Sequence, residues 1–393
     1  MSFPSTAAVF CKVVDNYGDI GICWRLARQL GHEHHVAVTL WVDDLVSFQR
    51  LCPEVQGDLP IQQLHGVTIR HWTSQDGVWS STDIADLVIE FFGCDIPPGY
   101  IAAMAQCEPR PVWINLEGLT AEEWVEGCHT LPSPHPQFPL TKFFFFPGFT
   151  RKTGGLLHES TLENERLEFQ SDPAAQSGFL SALGLTTDEQ QACKVSLFCY
   201  THAPIDELFD SLQQSGSSVV CLVPEGVARD KVQTFLASPA TPGAVRTRGT
   251  LTVRVVPFLP QPDYDRLLWT CDVNFVRGED SFVRAQWAGK PFIWHIYPQD
   301  NHLHHKKLRA FLQRYAAGLD SLAAYFLHWN DALAGDSIMQ SWPRLWIDLQ
   351  RSLPAIETSA RAWQKQMRQL GDLTGNLLAF ARDLRSKPAS NRV

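Results

Sequence analysis

Residues 10–24, FCKVVDNYGDIGICW, decide the reading of this chain. The run Ala7–Val14 has the composition of a strand buried in a parallel sheet. It gives way to Asp15 and Asp19, with Gly18 and Gly21 beside them. A helical pattern then covers Ile22–Leu30 and closes at Gly31. Open α/β sheets collect ligands at the carboxyl ends of their strands, and the two carboxylates stand at that end. The glycines, Gly18 among them, let backbone approach a ligand closely. Asp-Asn and Gly-Asp are also ordinary turn formers, so these residues taken alone fit a turn as well as a site.

Working outward, strands and helices alternate through the first half. Strand patterns fall at 7–14, 36–42, 67–70, 87–92 and 112–115, and helical patterns at 22–30, 44–52 and 120–127. A turn is expected at Pro97-Pro98, a strand followed by a loop over 143–149, and a charged, weakly patterned region over 156–170. A second alternation begins near residue 185. Its strands are expected at 193–200, 218–223, 251–258, 271–276 and 291–296, and its helices at 205–214, 225–236, 262–269 and 281–288. From 301 onward the chain reads as mostly helical, ending in a long pattern over 356–385. Two β/α halves predict two Rossmann-like, doubly wound domains facing each other across a cleft. The expected division is 1–182 and 183–371, with a last helix, 372–393, packing back on the first domain.

At 393 residues the chain is too long for one simple core. It carries 33 basic and 42 acidic residues, a net charge of −9, which does not by itself attract nucleic acid or an anionic membrane. No apolar run reaches the roughly 18 residues that span a bilayer. MSFPSTAAVF lacks the basic start of a signal peptide. The ten cysteines form no CxxC pair, and several lie inside strand patterns. That usage predicts reduced, core-filling thiols and a cytoplasmic protein rather than a disulfide frame or zinc site.

A second constellation occupies 264–299. A helix and a strand lead into the loop Arg277-Gly278-Glu279-Asp280-Ser281, which opens the next helix. With Asp280 or Ser281 as cap, the first-turn N–H groups and the helix dipole suit a diphosphate. Arg277 offers a forked contact to phosphate oxygens, while Glu279 and Asp280 suit sugar or ribose hydroxyls. The arrangement looks like the donor half of GT-B glycosyltransferases; a capped, solvated turn is the plainer reading. Phe198, Tyr200 and Phe258 fall at strand ends, where a nucleobase can stack on them and where ordinary packing also places aromatics.

Other motifs are absent or weak. There is no GxGxxG after the first strand, no P-loop and no GxSxG. His32, His34 and His35, and likewise His302, His304 and His305, lack the accompanying ligands of a metal centre and read as solvated.

Four segments together carry a resemblance: 10–30 (FCKVVDNYGDIGICWRLARQL), 113–124 (WINLEGLTAEEW), 196–200 (SLFCY) and 275–299 (FVRGEDSFVRAQWAGKPFIWHIYPQ). They resemble the EarP family, bacterial protein-arginine rhamnosyltransferases that modify translation elongation factor P. The resemblance implies a GT-B fold, a dTDP-β-L-rhamnose donor, and inverting transfer to one arginine of the factor, needing no metal or other cofactor. It implies Asp19 as the catalytic carboxylate, Asp15 as its required neighbour and Glu279 in the same catalytic group. The donor pocket it implies comprises Phe198, Tyr200, Phe258, Gln261, Arg277, Glu279, Asp280 and Ser281, with Gly18 and Tyr297 close by. Asn115 and Glu117 are candidates for the acceptor side, with a structural role equally open.

Three other readings compete: a GT-B enzyme with a small-molecule or lipid acceptor, a non-catalytic module that holds the translation factor, and a nucleotide-sugar epimerase. The acidic balance and the lack of a basic amphipathic helix weigh against a membrane substrate.

Overall fold

The computed structural model describes residues 3–15, 17–73, 79–333 and 340–387. Asn16 of the opening motif and the last six residues of the expected terminal helix lie outside the described residues. The chain forms two compact units, one from 1–160 with 367–393, the other from 161–366.

The first unit is built on β1 (Thr6–Cys11), β2 (Ala37–Val42), β3 (Ile61–Leu64), β4 (Val67–His71), β5 (Leu87–Phe91), β6 (Val112–Leu116), β7 (Pro132–Pro134) and β8 (Thr141–Phe145). They form one sheet in the order β3-β4-β2-β1-β5-β6-β8-β7. The six inner strands run parallel, and β3 and β7 add antiparallel edges. β1, β5 and β6 are buried along almost their whole length, covered on both faces, which is why they read as hydrophobic runs. Phe10 pins β1 by stacking on Trp41 at 5.7 Å and meeting Tyr100 edge-on at 5.0 Å.

The second unit repeats the plan with β9 (Cys193–Leu197), β10 (Val219–Pro224), β11 (Val245–Arg248), β12 (Leu251–Val256), β13 (Val273–Arg277) and β14 (Phe292–His295). Their order is β11-β12-β10-β9-β13-β14, parallel except for the edge strand β11. Both sheets have a topological switch point. In the first, the chain leaves β1 towards β2 and returns on its other side as β5; in the second, β9 is flanked in the same way by β10 and β13. Crevices for ligands open at such points, beyond the carboxyl ends of the strands.

Several expectations need correction. The Pro97-Pro98 turn opens a helix, Pro98–Gln106, because a proline at the first helical position lacks only an N–H that has no partner there. The helix expected over 120–127 shrinks to one turn, Val125–Cys128. Thr120 Oγ1 accepts the Glu122 N–H at 3.2 Å and donates to its carboxylate at 3.0 Å, holding a local turn where the helix was expected to start. The long terminal pattern is two helices, Trp342–Arg368 and Leu373–Ser386, broken at Gly371 with φ +81° and restarted by the Asp372 side chain capping Gly375. Residues 161–182 pack with the second unit: Phe169 lies 5.9 Å from Trp269, and Leu180 shares a core with Leu222 and Leu267. Helix Leu373–Ser386 packs within the first unit, where Thr374 donates to Gln29 at 2.6 Å and Phe380 meets Phe143 and Phe145.

Candidate active site

At the switch point of the first sheet, β1 ends at Cys11 and the helix Gly18–His32 begins seven residues later. Asp19 sits in the first turn of that helix and is only 9% exposed. Its Oδ2 accepts the backbone N–H groups of Val14 and Asp15, each at 2.8 Å. Asp43, just past β2, accepts the Val13 N–H at 2.8 Å. Two carboxylates thus hold three consecutive N–H groups of the loop that presents Asp15. Burial raises the Asp19 pKa above the usual carboxylate value, the two N–H bonds oppose this, and Asp43 adds a like-charge push upward. Gly18 lies close under Asp15: a Cβ on it would stand 2.9 Å from Asp15 Oδ2. Its own N–H closes the turn onto Asp15 O at 2.7 Å.

Asn115 and Glu117 follow on the same side of the switch point. Asn115 lies in β6 and donates to Glu117 at 2.6 Å while accepting the Gly93 N–H at 2.9 Å. Burial raises the Glu117 pKa. On neighbouring β5, buried Glu90 takes Trp113 Nε1 at 3.1 Å and Lys142 Nζ at 3.0 Å on one oxygen.

In the second unit β9 and β12 stop two to three residues earlier than expected. Phe198, Tyr200 and Phe258 therefore stand on loops just past the strand ends. Arg277, the last residue of β13, lays its guanidinium 4.7 Å from the ring centres of both Phe198 and Tyr200. Phe258 meets Phe198 at 6.4 Å, and Tyr297 meets Tyr200 edge-on at 5.6 Å. The chain then turns at Gly278, with φ +60°, into helix Asp280–Ala288. The cap expected from Asp280 or Ser281 is not there. The N-cap is Glu279, and it makes no side-chain cap hydrogen bond. Asp280 instead accepts Gln261 Nε2 at 3.2 Å, and Ser281 Oγ accepts the Arg277 N–H at 3.1 Å while donating back to Arg277 O. None of these bonds is made to the N–H groups that open the helix. Phe198, Tyr200, Phe258, Gln261, Arg277, Glu279, Asp280, Ser281 and Tyr297 are all at or beside this switch point.

The histidines at 302, 304 and 305 do come together, one ring nitrogen of each within 4.8 Å of the others. Their hydrogen bonds do not suit a cation. His304 Nδ1 accepts the Gln299 N–H at 3.0 Å, which places its proton on Nε2. None of the ten cysteines is in a disulfide. Among the described residues no helix is long and apolar enough to cross a membrane.

A model of the family described as "Elongation-Factor P (EF-P) rhamnosyltransferase EarP" matches residues 7–382. The chain belongs to the EarP family. A protein-arginine rhamnosyltransferase of Pseudomonas putida is 46% identical over 382 residues, covering 96% of this chain and 99% of that one. One from Pseudomonas aeruginosa is 43% identical over 381 residues, covering 95% and 98%. A solved structure described as "Structural basis for EarP-mediated arginine glycosylation of translation elongation factor EF-P" is similar at 34% identity and a TM-score of 0.65, covering 96% of this chain and 99% of that chain. Two doubly wound α/β units in one EarP-family chain agree with the GT-B fold class expected from the sequence.

Sequence reasoning missed Asp43 and His295. Asp43 carried the same signal that found Asp15 and Asp19, a carboxylate just past a parallel strand. His295 carried none.

Proposed function

We propose that this chain moves L-rhamnose from dTDP-β-L-rhamnose to one arginine guanidinium of translation elongation factor P, with inversion and without a metal, as a cytoplasmic enzyme. The observation that carries this reading is the buried Asp19, whose Oδ2 is held by two backbone N–H groups. An arginine side chain stays protonated at neutral pH and is a poor nucleophile. A fixed carboxylate orients it, localises its charge and takes one N–H proton as the C–N bond forms. In this reading Asp19 meets the guanidinium through Oδ1, and Asp15 shares the contact from the adjoining turn. Burial keeps Asp19 basic enough for the task.

The donor binds at the second switch point. Phe198 and Phe258 flank the thymine, and Gln261, Tyr297 and Glu279 meet its polar edges and the sugar. Arg277 grips the diphosphate together with the N–H groups that open helix Asp280–Ala288, to which Asp280 and Ser281 give backbone rather than side chain. As nitrogen attacks the anomeric carbon from the opposite face, the C–O bond to phosphate breaks and its electron pair leaves with dTDP. Arg277 and the helix dipole meet that growing negative charge. A β donor gives an α product. Water must be kept out of the reaction.

The test is the intact mass of purified elongation factor P after incubation with this protein and dTDP-β-L-rhamnose. A gain of one deoxyhexose, lost with Asp19→Asn, supports the reading. Binding of the factor without any gain, the donor being intact, points to a holding role instead.

A further inference from the structure

We propose that His295 is a positioning residue for the donor: its imidazole fixes Tyr200, one of the two aromatic faces that hold the Arg277 guanidinium. The inference rests on the donor-site reading above and adds to it a residue that touches neither substrate.

His295 is the last residue of β14 and is 2% exposed. It is the register partner of Arg277 on β13, so the two side chains leave the sheet side by side. Tyr200 comes from the far side of β13, three residues past the end of β9. His295 reaches across to it: Nδ1 accepts the Tyr200 N–H at 3.2 Å. The imidazole also meets the Tyr200 ring edge-on at 5.2 Å and rests against Trp329 at 5.8 Å. Tyr200 in turn stacks on His202 at 5.9 Å, whose ring lies 4.5 Å from His295. One buried side chain therefore touches both the backbone and the ring of Tyr200.

The bond requires an unprotonated Nδ1. Burial, with His202 and Arg277 nearby, lowers the His295 pKa to about 3, so the imidazole is neutral with its proton on Nε2. A cation here would lose the Tyr200 bond and repel Arg277. The position thus calls for a neutral acceptor at the δ atom, beside the Arg277 guanidinium.

That requirement separates three substitutions. His295→Asn places Oδ1 where Nδ1 stood. His295→Gln carries its acceptor one bond further out, at the place of Nε2. His295→Leu fills the space without an acceptor. Donor affinity is read by calorimetry with dTDP-β-L-rhamnose, and the chemical step by single turnover on elongation factor P at saturating donor. Loss of one buried hydrogen bond is expected to weaken donor binding by about tenfold in His295→Leu and His295→Gln, with the saturated rate within about threefold of the parent. His295→Asn is expected to recover most of the affinity. Equal affinities for Asn and Gln overturn the inference, and that comparison stands even if the leucine variant does not fold. Arg277→Ala runs alongside. If it leaves donor affinity unchanged, the donor-site reading itself fails; if it weakens binding while Asn and Gln stay equal, only the role of His295 fails.

Discussion

Asp19 holds Asp15 in place: the backbone N–H of Asp15 donates to Asp19 Oδ2 at 2.8 Å, and Val14 donates to the same oxygen at the same distance. The two aspartates are one device, in which the second fixes the backbone that presents the first. A group that shapes the loop and is also proposed to meet the substrate is difficult to test, because its removal disturbs both. Asparagine separates the roles, since its amide oxygen still accepts both N–H groups.

Asp19→Asn is therefore expected to keep donor affinity within about twofold while lowering the single-turnover rate by 10²-fold or more, the usual scale of a lost general base. Calorimetry and intact mass of the factor check the two halves. Turnover near the parent rate removes Asp19 from the base role.

The same substitution is expected to stabilise the fold at neutral pH. The Asp19 pKa is raised in the folded protein, so the folded state binds that proton more tightly than the unfolded chain. Stability is then lost as pH rises from the ordinary carboxylate value through the raised one, and above it the buried charge is a standing cost. Asn carries no such charge. Its melting temperature is expected to exceed the parent's by a few degrees at pH 7, with the gap closing as the pH falls through the raised value and gone by about 4. A gap that is constant with pH contradicts the assignment of the effect to the Asp19 charge.

Asp43 is expected to shift the acid limb of the pH profile, which burial of Asp19 mainly sets. It pushes the Asp19 pKa upward and also accepts the Val13 N–H. Asp43→Asn keeps an acceptor for that N–H and removes the charge. The Asp19 pKa then falls, its anion persists to lower pH, and the acid limb of kcat/KM moves to lower pH. An acid limb that stays in place means the Asp43 charge is not felt at the base.

Arg277 lies between two aromatic faces, so its fork is aimed before any phosphate arrives. Arg277→Ala is expected to weaken donor binding by tenfold or more, the loss of a charged hydrogen-bond partner. Arg277→Lys is expected to restore only part of it, because a point charge neither forks nor stacks in the same way. Full recovery by lysine reduces the role of Arg277 to charge alone.

The opening motif was legible because parallel strands covered on both faces read as unbroken apolar runs, and the carboxylates follow where such a run ends. The edge strands β3 and β11 were not. Their sequences, IQQL and VRTR, alternate exposed and half-buried positions and carry no apolar run. At the second switch point the residues were legible and the local bonding was not. An Arg-Gly-Glu-Asp-Ser loop before a helix suggests a side-chain cap, but Gln261 claims Asp280 and the Arg277 backbone claims Ser281. The claim on Asp280 comes from nineteen residues upstream, which no local pattern reveals. His295 is legible only once the register of β14 on β13 is known, since a lone histidine ending a buried strand has no sequence signature.

The last prediction concerns the two helices that carry Gln261 and Asp280. Arg284, in helix Asp280–Ala288, makes a bidentate ion pair with Asp265, in helix Gln261–Thr270, at 2.9 and 2.7 Å. Both side chains are buried, at 2% and 7% exposure. Removing one partner of a buried ion pair costs about 3–5 kcal/mol. Arg284→Met is thus expected to lower the melting temperature by roughly 6–20 °C, at about 2–4 °C per kcal/mol for a unit of this size. Because the pair joins the helices bearing the Gln261–Asp280 bond, the variant is also expected to bind donor more weakly at temperatures where it remains folded. Combining it with Asp265→Leu removes both charges at once and is expected to return much of the lost stability, since an apolar pair of similar volume avoids the desolvation cost altogether. Donor affinity should not return in step, because dispersion packing does not fix helix register as a two-point ionic contact does. Calorimetric melting and donor titration of the single and double variants separate these effects; a double variant that recovers stability and affinity together shows that the pair acts on the donor site through stability alone.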